Sequence, residues 1–518
     1  MDESYLIFRS AKQFAEKPCI IFEDKIFTFR EVNERVNSIA NALLKIGLNK
    51  GDKVAVLQNN CHQEIESFFA LSKGGMIKVP IMAMDSIEEI KYKVNDSEAN
   101  TIILGPEFID KIGSIRDEIK GIKNYICLDR APSYMLDYEE LISSSSSAEP
   151  TISTSDEDLH SIHYTSGTTA LPKGVMMTYK TRNAVLRNFF IDTLSIQPTD
   201  VMLHPHPLTH AAGSYVLPHM IRGCANVILP KFDPELLLRA VEKYKVTTVR
   251  LVPTALIRLL EYPDIRKFDF STLHTIYYGA SPMPTDKLIK LIKIFGQIFI
   301  QIFGQSESPS CICYLPKHDH VIEGRGVEKL GSVGRPFTDV RVRIVNDSGQ
   351  DISPGEEVGE VIVKSDTVVK GYWKRPDLTA ETIVDGWLHT GDLARIDQEG
   401  YIYLVDRKKD VIVTGGFNVA PKEVENVIYS HPAVLEVAVV GVPDEKWGEA
   451  VKAAVVLKQG AEVSEKEIID FCEGKLAAYK KPKSIDFYDN ELPKSPAGKI
   501  LRRAVKEKYW KGLGKRIQ

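Results

Sequence analysis

The chain has 518 residues, 43% of them hydrophobic, and a formal net charge of −4. That length exceeds one ordinary core and predicts two or more domains. The near-balanced charge excludes a global basic field for nucleic acid, and no apolar run approaches the roughly 20 residues that cross a bilayer. Seven cysteines, an odd number scattered from Cys19 to Cys472, predict reduced thiols and a cytoplasmic protein. Met1-Asp2-Glu3-Ser4 lacks the basic-then-apolar pattern of a signal peptide.

In chain order, Phe29–Leu48 carries apolar residues at helical spacing, and Gly51-Asp52-Lys53 turns into the strand-like Val54–Leu57. Repeated β–α alternation over the first 140 or so residues predicts an α/β fold with a mainly parallel, doubly wound sheet. The run Ser143–Ser147 reads as a surface connection. A second βα series covers about 200–310, with Thr247–Val252 as one strand. Residues 330–405, rich in Val, Ile and Gly with turns such as Asn346-Asp347-Ser348-Gly349, predict hairpins or a small barrel. Cys311 and Cys313 read as alternate positions on a strand, not a metal half-site. The charge cluster 406–410 separates two apolar stretches and is the candidate hinge between an N-terminal domain, 1–405, and a small mobile α+β domain, 411–518. In the latter, helix Pro421–Ser430, strands Val434–Val442 and Val451–Leu457, and helix Glu465–Lys475 are expected. The basic end (Lys506, Lys508, Lys511, Lys515, Arg516) reads as a solvated face.

Residues 164–175 read Tyr-Thr-Ser-Gly-Thr-Thr-Ala-Leu-Pro-Lys-Gly-Val. Gly167 lets backbone N–H groups turn inward, Thr165, Ser166, Thr168 and Thr169 offer hydroxyls, and Lys173 adds a charge, a composition that wraps phosphates. It is not a Walker A loop. On local composition an ordinary Ser/Thr-rich turn is the alternative. The segment resembles the phosphate loop of the adenylate-forming enzymes, which include acyl- and aryl-CoA synthetases and luciferases. Further segments resemble that family's motifs in the family's order: Gly279-Ala280-Ser281-Pro282-Met283-Pro284, Gln301-Ile302-Phe303-Gly304-Gln305-Ser306-Glu307, Trp387–Asp392, Asp406–Asp410 with Gly415-Gly416, and Pro493–Lys499.

The resemblance implies an ATP- and Mg²⁺-dependent acid–CoA ligase that forms an acyl-adenylate and then a thioester on coenzyme A. Thr165–Lys173 would hold the β- and γ-phosphates, Ser306 would donate to the α-phosphate or acyl carboxylate, and Glu307 would ligate Mg²⁺. Phe303 would stack on adenine opposite Gly279, Ala280 and Ser281. Gln301 would reach the purine edge within the wall formed by Ile302 and Gly304. Asp392 would accept both ribose hydroxyls, supported by Arg407. Lys499 would bridge carboxylate and α-phosphate in the transition state, carried there by a lid pivoting at Lys409. In the second pose Gly415 and Gly416 would line a pantetheine channel, with Trp447 and the Lys480-Lys481 pair as weaker CoA contacts. Catalysis of this kind needs positioning and charge neutralisation more than a protein nucleophile, and no Gly-x-Ser-x-Gly elbow is present.

The expected substrate is a small carboxylic acid, medium- or long-chain fatty or aromatic. His210 matches a histidine that closes the carboxylate end of relatives' acyl pockets, and Ala211, Ala212, Gly213 and Gly279 leave room beside Gln305. Arg250 interrupts an apolar strand, so it either reads a polar substrate tail or pairs with a buried acid. Ala170 and Ser306 stand where many relatives have glycine and threonine, and Phe417 resembles the plant aryl-CoA ligase version of its loop. Transfer to a carrier protein, luciferase-like oxidation of the adenylate and non-catalytic nucleotide binding are the rival readings. A homodimer is a candidate assembly.

Overall fold

The computed structural model describes residues 3–165, 171–494 and 500–510. Two large sheets of mixed α/β character dominate the chain. The larger has nine strands, with a parallel centre running through Phe299–Gln305, Thr275–Gly279, Thr248–Leu251, Val201–His204, Ala225–Ile228 and Pro18–Phe22. The second has seven strands. Its centre (Asn124–Cys127, Thr101–Leu104, Lys53–Leu57, Ile77–Ile81) is parallel, and the hairpin Leu159–Thr165/Lys173–Thr178 closes one edge. Buried on both faces, these strands read as continuous runs such as Thr101–Leu104, buried at every position.

The helix after the first hairpin runs Phe29–Lys45, three residues short of Leu48. Thr28 and Glu31 form a reciprocal capping box that starts it. Gly47, at φ 100°, ends it. The Ser143–Ser147 run lies on the surface as expected, but it is tethered: Asn37 donates to the Ser147 carbonyl at 2.9 Å, and Asn41 to Ser146 and Ala148 at 2.8 Å.

Residues 335–407 contain hairpins, not the closed barrel that was the other expectation. Arg341–Val345, Gly359–Lys364, Trp387–Ile396, Ile383–Val384 and Ile402–Arg407 make an open antiparallel sheet. Arg341–Val345 pairs only with Gly359–Lys364 and Ile402–Arg407 only with Trp387–Ile396, so no ladder closes the sheet on itself. Beyond it, Ile412–Thr414, Phe417–Val419, Val434–Asp444, Gly448–Leu457 and Ser484–Phe487 form a fourth sheet with its own core around Val424, Ile428, Val439 and Val455. Its helices are Pro421–Tyr429, Glu465–Phe471 and Arg502–Trp510. Lys506 pairs with Glu449 at 3.1 Å while Lys508 is exposed; Lys511, Lys515 and Arg516 lie outside the described residues. All seven cysteines are free, and Cys311 and Cys313 are buried two apart on Ser308–Leu315. Among the described residues no helix is long and apolar enough to cross a membrane.

Candidate active site

Hairpin turns and strand ends deliver the motif residues to one cleft of about 2600 Å³. Thr165 and Lys173 face each other across the hairpin that flanks the phosphate loop. Ser166, Gly167, Thr168, Thr169 and Ala170 lie outside the described residues. In the second hairpin Gln305 pairs with Ser308, so Ser306 and Glu307 are themselves the turn. Gly304 is required there because a Cβ would come within 2.5 Å of the Ser310 nitrogen. In the third, Asp392 and Arg407 are cross-strand partners.

A tyrosine that sequence reading missed links the first two hairpins. Tyr372 donates to Glu307 Oε1 at 2.6 Å, and its ring lies 5.8 Å from Lys173 Nζ. Burial first, and then the Glu307 charge, push the Tyr372 phenol up, so it stays a donor. Partial burial and Arg375 lower the Lys173 pKa, with Glu307 pulling the other way. The signal, Gly371-Tyr372-Trp373, is too short to find by motif.

Asp392 is buried, with Arg407 Nε donating to Oδ1 at 3.0 Å, while Oδ2 has no hydrogen-bond partner among the described residues. Gln305 Nε2 and Arg182 Nε are further such atoms on residues that line the cleft. Gln301 is buried and accepts from Tyr278 Oη at 3.0 Å. Gly279 passes so close to the Ile302 carbonyl that any Cβ there would collide, and Ala280 next to it holds φ 73°, a strained value for a non-glycine. Phe303 and Ser281 are both half-buried on the same wall.

His210, Gly213 and Arg250 line the deeper part of the cleft. Burial lowers the pKa of His210, the Thr209 backbone opposes this, and Lys93 and Arg250 lower it further, so the imidazole is neutral. Arg250 is 6% exposed and forms no ion pair with a described residue.

The C-terminal unit covers the other side. Arg502 pairs with Asp406 at 2.9 Å and with Glu425 at 2.6 Å, and Glu491 pairs with Arg258. Lys409 lines the cleft, as do Ile500 and Leu501. Lys499 lies outside the described residues. Gly415, Gly416 and Trp447 come together, the Gly415 amide donating to the Trp447 carbonyl at 2.8 Å, but they do not line the nucleotide cleft in this pose. Phe417 stacks on Tyr479 at 4.7 Å beside them. Lys480 holds Glu423 at 2.7 Å and Lys481 lies 3.5 Å from Glu473.

Comparison with known proteins bears on this constellation. The profile of the AMP-binding enzymes matches residues 7–373, and that of their C-terminal domain matches 423–499. The chain belongs to the AMP-binding enzyme family. It is 34% identical to the medium/long-chain-fatty-acid–CoA ligase FadD8 of Mycobacterium tuberculosis, over 99% of this chain and 91% of that one. It is 36% identical to a feruloyl-CoA synthase of an Amycolatopsis species, over 93% and 94%. The anthranilate CoA ligase AuaEII, solved in complex with anthranoyl-AMP, superposes with a TM-score of 0.90 at 27% identity, covering 98% of this chain and 97% of its own. Like these AMP-binding enzymes, the chain is an acid–thiol ligase.

Proposed function

We propose that this AMP-binding enzyme joins a medium- or long-chain fatty acid or an aromatic acid to coenzyme A in two half-reactions. In the first, a carboxylate oxygen attacks the α-phosphorus of ATP, the bond to the bridging β-oxygen breaks, and pyrophosphate leaves. In the second, the CoA sulfur attacks the acyl carbon, AMP departs, and the thiol proton passes to solvent. The observation that carries the reading is Asp392: a buried carboxylate oriented by Arg407, with one oxygen unpartnered, is an acceptor suited to the ribose hydroxyls.

Thr165, Lys173 and the loop between them take the phosphates, and the Ser306 hydroxyl donates to the α-phosphate or carboxylate. Glu307, fixed by Tyr372, supplies the single hard carboxylate that a Mg²⁺ uses when substrate phosphates provide its other ligands. Bound there, the ion neutralises phosphate charge. Phe303 and the Gly279–Ser281 turn enclose adenine. Neutral His210 closes the carboxylate end of the acyl pocket without pairing with the nucleophile's charge. Lys499 neutralises charge between acid and nucleotide; the approach of Ile500 and Leu501 to the cleft supports this role. Residues 406–410 act as the hinge between domains 1–405 and 411–518. Rotation at Lys409 then replaces Lys499 by the Gly415, Gly416 and Trp447 face, where pantetheine enters. The seven free cysteines support a cytoplasmic location.

The test is acid-dependent pyrophosphate release over a panel of carboxylic acids, with and without CoA, in wild type and Lys499→Ala. Adenylate formation by Lys499→Ala at the wild-type rate would remove the lysine from the mechanism, and no release with any acid would remove the ligase.

A further inference from the structure

Two buried cations in the N-terminal half are closed by carboxylates, Lys93 by Asp85 at 2.5 Å and Lys73 by Glu149 at 2.6 Å, while buried Lys78 has no hydrogen-bond partner among the described residues and lies 3.8 Å from the Phe68 ring. Arg250 is as buried as these and has no such counter-charge among the described residues. Its guanidinium instead borders the cleft, 6.0 Å from the ring of Tyr215, whose buried hydroxyl also lacks a hydrogen-bond partner. A guanidinium that borders the cleft with no carboxylate partner among the described residues is a donor suited to an oxyanion. Leaving an arginine buried and unmatched costs several kcal/mol, so its retention calls for an anion that arrives with the ligand.

Register locates the arginine. Arg250 stands opposite Tyr277, two residues below Gly279 at the level of the adenine turn. The reacting carboxylate must meet the triphosphate at the mouth, between Lys173 and the Ser306-Glu307 turn. A group touching Arg250 is therefore at the far end of the acid. The field of Arg250 reaches the adjoining histidines: His206 is held at about 3, by burial first and by Arg250 second. With His206 neutral beside it, the positive charge at this level of the sheet belongs to the arginine.

We propose that the acid this enzyme activates carries a second carboxylate, and that Arg250 receives that carboxylate in the acyl pocket. The inference rests on the acid–CoA ligase reading and narrows its substrate to dicarboxylic acids.

Pyrophosphate release is measured with CoA for dicarboxylic acids of increasing length, each beside the monocarboxylic acid and the half-amide of equal length. The best diacid is expected to exceed both neutral-tailed partners in kcat/KM by at least about 30-fold. Arg250→Met should erase that ratio through the KM of the diacid, and Arg250→Lys should restore part of it. A wild-type enzyme that prefers the neutral tails overturns the proposal, as does an Arg250→Met enzyme that loses diacids and monoacids equally, since the arginine would then serve the reacting end. Should Arg250→Met fail to fold, the wild-type comparison of diacid with half-amide decides alone. Failure of every acid sinks the ligase reading itself, an outcome separate from a preference for neutral tails.

Discussion

Asp392 and Arg407 stand opposite each other on adjacent strands, and the arginine Nε reaches only one of the two carboxylate oxygens, at 3.0 Å. The backbone amide of Asp392 is tied to Thr390 Oγ1 at 3.1 Å, and that hydroxyl to the Val361 carbonyl at 2.6 Å, so the carboxylate cannot turn away. The free oxygen is therefore preorganised at no cost when nucleotide arrives. Asp392→Ala should raise the dissociation constant for ATP by about 10- to 100-fold, the worth of one charged hydrogen bond, with the fold intact. Titration calorimetry of ATP against wild type and variant checks this; an unchanged constant would place the ribose elsewhere.

Tyr372 holds Glu307 by its hydroxyl and Lys173 by its ring, so removing the hydroxyl alone separates the two functions. Tyr372→Phe keeps the ring under the ammonium and frees the carboxylate to swing. The Mg²⁺ concentration for half-maximal pyrophosphate release should rise about 10-fold, consistent with loss of a partner that orients a metal ligand. Half-saturation by ATP at excess Mg²⁺ should move much less. Equal shifts in both would mean that the tyrosine shapes the whole loop.

What the residues disclosed in advance was local. The helical spacing that begins at Phe29, the strand-like Val54–Leu57 and the alternate Cys311 and Cys313 are short-range patterns, each written within a few positions. The motif residues share a cleft because each sits on a hairpin turn or strand end whose register is local too. Long-range pairing was not legible. Pro18–Phe22 joins the sheet by pairing with Ala225–Ile228, and nothing in the period of either strand names its partner. Tyr372 reaches a carboxylate 65 positions away, and Arg502 reaches Asp406 across 96, by packing that no spacing rule encodes. The isolation of Arg250 is a third case, since an absent counter-charge is visible only once every neighbour is in place.

Arg502 ties the C-terminal helix to the strand Ile402–Arg407, which leads into the proposed hinge. It clasps Asp406 and Glu425, and Asp406 also accepts from the Lys422 amide at 2.7 Å. Burial depresses Lys422 to about 8, with Asp406 opposing, so this knot is a crowded ionic cluster that would hold one pose of the proposed lid. Arg502→Gln should loosen that pose selectively. Acid-dependent pyrophosphate exchange should fall about 10-fold or more, while thioester formation from preformed acyl-adenylate should fall less, because the latter uses the other pose. Assaying the two half-reactions separately gives the ratio. A proportional fall in both would show that the cluster stabilises the protein without biasing the lid.

Buried neutral histidines set the acid limit of stability. His204, His219 and His320 are each depressed to about 4 and His206 to about 3, burial being the largest cause in every case. Their unfolded value is about 6.5. Between those limits the unfolded chain binds protons that the folded chain refuses, so stability is present in full above about 6.5 and is lost as pH falls toward 4. Glu64 and Asp406, raised by burial, work in the opposite sense, but His163 and His210, lowered by burial, add to the four. Urea unfolding at pH 7, 6 and 5 should show falling stability. His204→Gln, which keeps a donor for Asn226 Oδ1 at the position where the imidazole lies 2.8 Å away, should flatten the slope by about 1.4 kcal/mol per pH unit, the value of one proton. A slope that the substitution leaves unchanged would mean that His204 is charged inside the fold, against the direction its burial imposes.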